Sequence, residues 1–311
     1  MSLCFYIIYT PGTVKPLRIL LYSLLKWSDC HFCLVANGCS PTEAADLEQF
    51  CAVNPRLSYK ALPTDKVMLH GEALNYLQAQ NQHTYFCFMD SDMYAVDAFL
   101  PPFLSHLEQY SAIFSGAPAR LLPANTTFMV GYHTHTPTDV CLGLTYFAIY
   151  HNQTVSEIRR LTGIGFAKYR WEEIPEAWQQ QFEALGVKCQ IYDTAKVLNL
   201  LLHLHGHKLH LQPCLTLHHL AGVSRFYVVK QRTWWKKLRT SVGSWLRKQR
   251  GNQSLPSFNE ATPYFARLLL ALAEDDAVPA QPVIDDPEMN DWVTNTRSEL
   301  FAIQAEFSKA T

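Results

Sequence analysis

The sequence predicts an α/β fold: a mostly parallel central sheet flanked by helices, with a helical C-terminal extension. Three observations carry this. Strand-like apolar runs alternate with amphipathic helical segments over the first 90 or so residues, the pattern of an open, mostly parallel sheet. The chain has 311 residues, 48% of them hydrophobic, enough for one large domain plus an extension or for two small ones. The fourth apolar run, Phe86-Cys87-Phe88-Met89, stops at Asp90-Ser91-Asp92. Carboxylates at the end of a buried strand rarely serve a core, because an unpaired buried charge is costly.

Leu3 to Tyr9 reads as the first strand, broken by Thr10-Pro11-Gly12, and Leu17, Leu20, Leu21, Leu24 and Leu25 then recur at helical spacing. His31 to Val35 is a second strand, ended by Asn37-Gly38. Ser40-Pro41 with Glu43 opens a helix to Phe50. Leu57 to Leu62 is the third strand, Leu69 to Gln80 a helix and Tyr85 to Met89 the fourth strand. Beyond it the spacing predicts a helix over 97–110, a strand over 112–115, a loop over 121–139, a strand over 144–150 and helices over 154–168 and 171–185 with Gly186 as C-cap. A strand at 187–191, a helix from Asp193 to His205 ended by Gly206, a strand at 208–211 and an apolar run ending in His218-His219 complete residues 1–225, read as one domain. Residues 226–311 form the extension, with helices near 259–274 and 290–307. No internal repeat is visible.

The formal net charge of −1 sets up no global field toward nucleic acid, so electrostatic recognition must be local. Met1 to Tyr9 lacks the basic leader of a signal peptide, and no apolar run reaches the length of a membrane span. The nine cysteines are odd in number and mostly sit in apolar runs, which reads as free thiols in a reducing cytoplasm. Cys30-His31-Phe32-Cys33 has CxxC spacing without a second pair, so a zinc or redox site is not expected there. Residues 230–250 hold eight Lys and Arg and no acid, and Trp234, Trp235, Leu238, Val242, Trp245 and Leu246 share one helical face. That composition fits peripheral binding to an anionic membrane surface, with an ordinary packed helix as the alternative.

In open parallel sheets ligands bind outside the carboxyl ends of the strands. Thr10 follows the first strand, Asn37 the second, and Asp90 and Asp92 the fourth, so three polar ends meet one edge. On their own the two aspartates also suit a turn or a helix N-cap.

With these stretches the chain resembles glycosyltransferases of the GT-A fold, nearest the inverting family 2 group, over residues 1 to about 225. Val35-Ala36-Asn37-Gly38-Cys39-Ser40 is similar to the strand end that holds the donor's base and ribose. Gly71-Glu72-Ala73-Leu74-Asn75 is similar to the helix before the DXD strand, and Asp90-Ser91-Asp92 to the DXD motif. Tyr192-Asp193, followed by Leu198, Leu201 and Gly206, resembles the acidic motif opening the acceptor-side helix. His219-Leu220-Ala221-Gly222-Val223-Ser224 resembles a C-terminal His motif. The chain departs from the family in having Ala36 or Asn37 where an Asp is usual, and a single carboxylate at 192–193.

The resemblance implies a nucleotide-sugar donor, a UDP-sugar first, and Mn²⁺ or Mg²⁺ held by Asp90, Asp92 and His219. Asp92 is expected to touch the ion, and Asp90 the ribose or a metal-bound water. Thr10, Pro11, Asn37, Asn75, Asp90 and Ser91 are expected on the donor. Asp193 is expected to be the general base for a hydroxyl of a glycan or lipid-linked acceptor, or else the N-cap of its helix. His218 competes with His219 as ligand. The imidazoles of His203, His205, His207 and His210 read as a solvated face. The expected place is the cytoplasm, peripheral at the inner face of the plasma membrane. A sugar nucleotidyltransferase is the nearest rival, although Thr10-Pro11-Gly12-Thr13 lacks its glycine-rich basic loop. A non-catalytic carbohydrate-binding protein on the same fold is the rival from another class.

Overall fold

A computed structural model describes residues 3–121, 129–220, 222–230 and 258–310. Its first half alternates as expected: β1 (Cys4–Tyr9), α1 (Val14–Lys26), β2 (His31–Ala36), α2 (Pro41–Ala52), β3 (Leu57–Ala61), α3 (His70–Ala79) and β4 (Tyr85–Met89). The start of α2 is a capping box. The Ser40 hydroxyl accepts from the Glu43 amide, the Glu43 carboxylate accepts from the Ser40 amide, and Pro41 occupies the first turn.

The second half runs β5 (Met93–Ala95), α4 (Pro101–Leu104), β6 (Ala112–Ser115), β7 (Met129–Val130), β8 (Phe147–His151), α5 (Asn152–Thr162), β9 (Tyr169–Arg170), α6 (Glu176–Ala184), β10 (Ile191–Tyr192), α7 (Lys196–Leu204), β11 (Leu209–Gln212), β12 (Leu217–His219) and α8 (Val223–Lys230). Helices Phe258–Glu274 and Pro287–Ala310 follow.

Several expected elements are shorter here. Within 97–110 only Pro101–Leu104 is α-helical, and the bonds from His106 to Phe103 and from Gln109 to His106 are i→i+3 turns. The 154–168 helix stops at Gly163, whose φ of 71° is left-handed. The 171–185 helix is split by Pro175 into a 3-10 turn, Trp171–Glu173, and α6. Of 187–191 only Ile191 joins a strand. Asp193 lies ahead of α7, whose N-cap is Ala195 at φ 64°, so Asp193 is not that helix's N-cap.

Seven strands form the main sheet in the order β11-β6-β8-β4-β1-β2-β3. β1 pairs in parallel with β2 and β4, β2 with β3, and β6 with β11. β8 alone is antiparallel, to both β4 and β6. The chain leaves β1 toward β2 and β3, then crosses back to lay β4 on the other side. The switch point of the topology is therefore between β1 and β4, and sheets of this kind bind ligands outside the strands' carboxyl ends at that point.

Alternation sends β-strand side chains to two cores. Phe5, Ile7, Cys87 and Met89 pack with α1 and with Tyr264, Phe265, Leu268, Val293 and Leu300 of the two C-terminal helices. Tyr6, Phe86 and Phe88 face Leu74, Ile158, Phe182 and Leu201 on the opposite face. The described part of 226–311 thus closes one face of the sheet, as a third layer needs to. The basic aromatic stretch at 231–250 lies outside the described residues.

Candidate metal centre and active site

β4 is wholly buried, and the chain turns out of it at Asp90. The Asp90 amide donates to the Tyr146 carbonyl at 2.8 Å, just before β8 begins, which fixes where the turn starts. Asp92 leads directly into β5, and β5 pairs antiparallel with β12, placing Met93 opposite His219. The amide of Leu220 donates to the Asp92 carbonyl at 3.0 Å. A motif at residue 90 and a histidine at 219 thereby share one corner. His219 Nε2 is 3.2 Å from Asp92 Oδ1 and 3.5 Å from Asp90 Oδ2. The Tyr146 ring stacks on the His219 ring, centroids 4.7 Å apart and planes 20° apart.

The two aspartates differ. The Asp90 side chain is 32% exposed and that of Asp92 0%. A buried carboxylate survives only with partners. Asp92 Oδ2 accepts from the amides of Gly222 at 3.1 Å and Ser224 at 3.4 Å, at the start of α8. Gly222 sits at φ 91°, a conformation suited to glycine. Burial would raise the Asp92 pKa, but the His219 imidazole and the Ser224 amide outweigh it and hold the carboxyl below its ordinary value. Burial would likewise lower His219, and Asp92 and Asp90 together push it up to about 10.

Asp92 Oδ1 and His219 Nε2 are both buried without a hydrogen-bond partner. Their 3.2 Å approach is close but misaligned for a hydrogen bond. Two buried ligand atoms without hydrogen-bond partners, 3.2 Å apart beside a second carboxylate, fit a divalent cation, which would take the place of the imidazolium proton. Among the described residues Asp90, Asp92 and His219 are the group of three whose ligand atoms converge, all within 4.8 Å of one another. Two carboxylates and an imidazole suit Mn²⁺ as well as Mg²⁺. His218 points the other way, its Nδ1 3.1 Å from the Tyr94 hydroxyl.

Of the other residues singled out, Thr10 and Pro11 lie in the turn after β1, where Thr10 is occupied by Thr13: its amide donates to Thr13 Oγ1 and its carbonyl accepts from both the hydroxyl and the amide of Thr13. The Gly12 amide is taken by Glu43 Oε1. Ser91 is buried between the aspartates. Asn37 is spent as a strap. Its Nδ2 donates to the Met68 carbonyl at 2.9 Å and its Oδ1 accepts from the Met68 amide at 2.8 Å. Only 1% exposed, it presents the 66–68 backbone at that strand end rather than a free amide.

Asn75 is a clamp. Its Oδ1 accepts from the Phe166 amide at 2.8 Å, and one turn earlier a Cβ on Gly71 would stand 2.3 Å from the Phe166 carbonyl oxygen. That same carbonyl accepts from the Ala195 amide at 3.0 Å. The Gly71–Asn75 stretch therefore holds the 165–167 loop, and the loop holds the turn carrying Asp193. Asp193 itself is half-buried, its amide donating to the Val130 carbonyl at 2.9 Å and its Oδ1 accepting from the Thr194 amide at 3.0 Å. Beneath it Lys196 is buried, donating to the carbonyls of His133 and Gly143. Burial pushes the Lys196 ammonium down to about 7 against the upward pull of Asp193.

Sequence reasoning missed two neighbours of the centre. His70, first in α3, brings Nε2 to 3.9 Å from Asp90 Oδ1, and Tyr146 supplies the ring under His219. His70 was readable only as the residue that opens the helix before the acidic strand. For Tyr146 the signal was its place at the start of the strand that turns out antiparallel to β4. The other imidazoles stay apart from the centre: His210 stacks on Tyr110 at 4.6 Å and His205 lies beside Trp178.

No protein-family model and no curated protein matches the sequence. Solved structures do. The chain is similar to the mannosyltransferase PcManGT from Pyrobaculum calidifontis, solved with GDP-Man and Mn²⁺, at 11% identity over 97% of this chain and 86% of that one, with a TM-score of 0.42. It is similar to TarS 1-349 of S. aureus, solved with UDP-GlcNAc, at 16% identity over 62% and 58% of the two chains, TM-score 0.38. A protein provisionally assigned as a glucose-1-phosphate thymidylyltransferase from Bacillus anthracis gives 11% identity, 68% and 86% coverage and a TM-score of 0.39. Identities and TM-scores this low are likenesses only, and the site's own atoms carry the functional reading.

Proposed function

We propose that this chain is a Mn²⁺- or Mg²⁺-dependent glycosyltransferase. It transfers a hexosyl or N-acetylhexosaminyl group from a nucleoside-diphosphate donor, UDP-sugars first, to a hydroxyl of a glycan or lipid-linked acceptor, with inversion. The observation that carries the reading is the pair of orphaned, buried ligand atoms on Asp92 and His219, facing Asp90 at the switch point of the sheet.

Asp90, Asp92 and His219 would hold the cation. When bound, it supplies Lewis-acid stabilisation of the charge that develops on a diphosphate leaving group. Asp92 is the fixed ligand, anchored by two backbone amides, and the more exposed Asp90 is the one that also reaches a ribose hydroxyl or a water. Asp193 takes the proton from the acceptor hydroxyl onto its carboxylate. Deprotonation and attack from the face opposite the leaving group invert the anomeric centre. Thr10, Pro11 and Ser91, with the 66–68 backbone strapped by Asn37, line the donor side.

The turn after β1 weighs against a sugar nucleotidyltransferase. A phosphate cradle needs free backbone amides there, and the Gly12 amide is already bonded to a carboxylate. Among the described residues no helix is long and apolar enough to cross a membrane. Contact with an anionic membrane through 230–250, in the assembly of a cell-envelope polysaccharide or lipopolysaccharide at the inner face of the plasma membrane, rests on sequence charge alone. It predicts salt-reversible binding to anionic vesicles.

The deciding experiment is a thermal-shift panel of nucleotide sugars with and without Mn²⁺. The expected result is a rise in Tm for a UDP-sugar that requires Mn²⁺, because a ligand of the native state stabilises it. A panel in which no nucleotide sugar shifts Tm in the presence of Mn²⁺ would overturn the reading, while binding without slow metal-dependent hydrolysis would favour a non-catalytic sugar-binding protein.

A further inference from the structure

The cation site hangs on a small ribbon. β5 and β12 pair over three residues each, Met93 with His219, Tyr94 with His218 and Ala95 with Leu217. A two-stranded ribbon this short is marginal by itself. Yet it carries one ligand, His219, and continues directly from another, Asp92. Paired residues in an antiparallel ribbon share a face, and successive residues alternate. The Met93–His219 face turns to the cation site, and the Tyr94–His218 face turns away.

That second face is tied to the far end of the chain. Tyr94, fully buried, donates its hydroxyl to Glu299 Oε2 at 2.6 Å, across 205 residues of sequence. Thr296 Oγ1 lies 3.4 Å from the same hydroxyl. His218 Nδ1 is 3.1 Å from the Tyr94 hydroxyl and 3.5 Å from Glu299 Oε2, while its Nε2 donates to the Leu215 carbonyl at 2.8 Å. One carboxylate thus spans both strands at their central pair. The helix that carries it is itself fixed, with Val293, Leu300 and Ile303 buried in the core shared with α1 and Glu306 paired to Lys26. On the other side the Ala95 amide donates to Ser23 Oγ of α1 at 2.9 Å.

We propose that Glu299 is a positioning residue for the cation site: from the C-terminal helix it locks Tyr94 and His218 together and so sets the separation of Asp92 and His219. The inference rests on the metal reading given above. Groups that orient metal ligands without touching the metal commonly change its affinity by tenfold or more.

The test is Mn²⁺ binding to the full-length chain, read from the electron paramagnetic resonance signal of free Mn²⁺, on wild type, Glu299→Ala, Glu299→Gln, Tyr94→Phe and Glu306→Ala, with circular dichroism as the check on folding. Glu299→Ala is expected to weaken Mn²⁺ about tenfold. Glu299→Gln, whose amide oxygen still accepts from Tyr94, should recover part of the loss. Glu306→Ala, which removes an exposed pair on the same helix, should leave affinity unchanged. Tyr94→Phe keeps the buried ring and removes only the tie, so it decides the matter if Glu299→Ala does not fold. Wild-type affinity in Glu299→Ala, or in Tyr94→Phe should Glu299→Ala not fold, would overturn the inference alone. A wild type that binds no Mn²⁺ would overturn the metal site and the inference with it.

Discussion

Asp92 has no exposed surface and its carboxylate takes two backbone amides from another element, whereas Asp193 is half-buried and its carboxylate takes only the amide of the next residue. The first arrangement fixes a negative charge and leaves one oxygen aimed at a neighbouring imidazole. The second fixes the backbone and leaves the carboxylate largely free. A cation needs ligands that do not move, and a base needs a lone pair not already engaged. The difference between the two corners is what the proposed chemistry requires of them.

The largest effect that could break this contrast comes from Asp92→Asn. It should lower sugar transfer by about a thousandfold and abolish measurable Mn²⁺ binding by calorimetry. Asp193→Asn should cost about a hundredfold in transfer with Mn²⁺ affinity and Tm unchanged. If Asp193→Asn weakened Mn²⁺ as strongly as Asp92→Asn, the two corners would be one, and the division of labour would fall.

A smaller effect sharpens it. Gly71→Ala must push the Phe166 carbonyl away, and Asn75→Leu strands the Phe166 amide, so each should destabilise by about 1–3 kcal/mol in urea unfolding. Because Phe166 holds Ala195, both should lower transfer without changing Mn²⁺ affinity. The smallest effect concerns Lys196. Burial lowers its folded pKa to about 7 from an ordinary 10.5, so between those values the unfolded chain binds the extra proton and the folded one does not. That contribution to stability therefore increases as pH rises from 7 toward 10. Lys196→Met should flatten this slope, read from unfolding midpoints at pH 7 and pH 9.

The sequence made the first half of the fold legible because local signals agree there. Ser40-Pro41 with Glu43, the turn at Asn37-Gly38 and the mostly apolar strands β1, β2 and β4 all point the same way. It was less legible past Met89, where β7, β9 and β10 have two residues each and owe their existence to pairing across the chain. The corner that gathers Asp90 and Asp92 was readable because carboxylates at a strand end are costly without a purpose. Asn37 was hard to read as a strap for the opposite reason. Its polar ends are consumed by a backbone 31 residues away, and nothing in its own neighbourhood announces that. His70 and Tyr146 could not be placed at this corner from their sequence signals, because α3 and β8 bring them there by packing against β4.

The single antiparallel strand has a further consequence. Because β8 runs against β4 and β6, it begins at the edge where they end. The connection between β6 and β8 therefore departs from and returns to the ligand-facing rim, and it passes Val130, whose carbonyl holds Asp193. Changes in its stretches outside β7 alter what the rim presents while leaving the register of the seven-stranded sheet untouched.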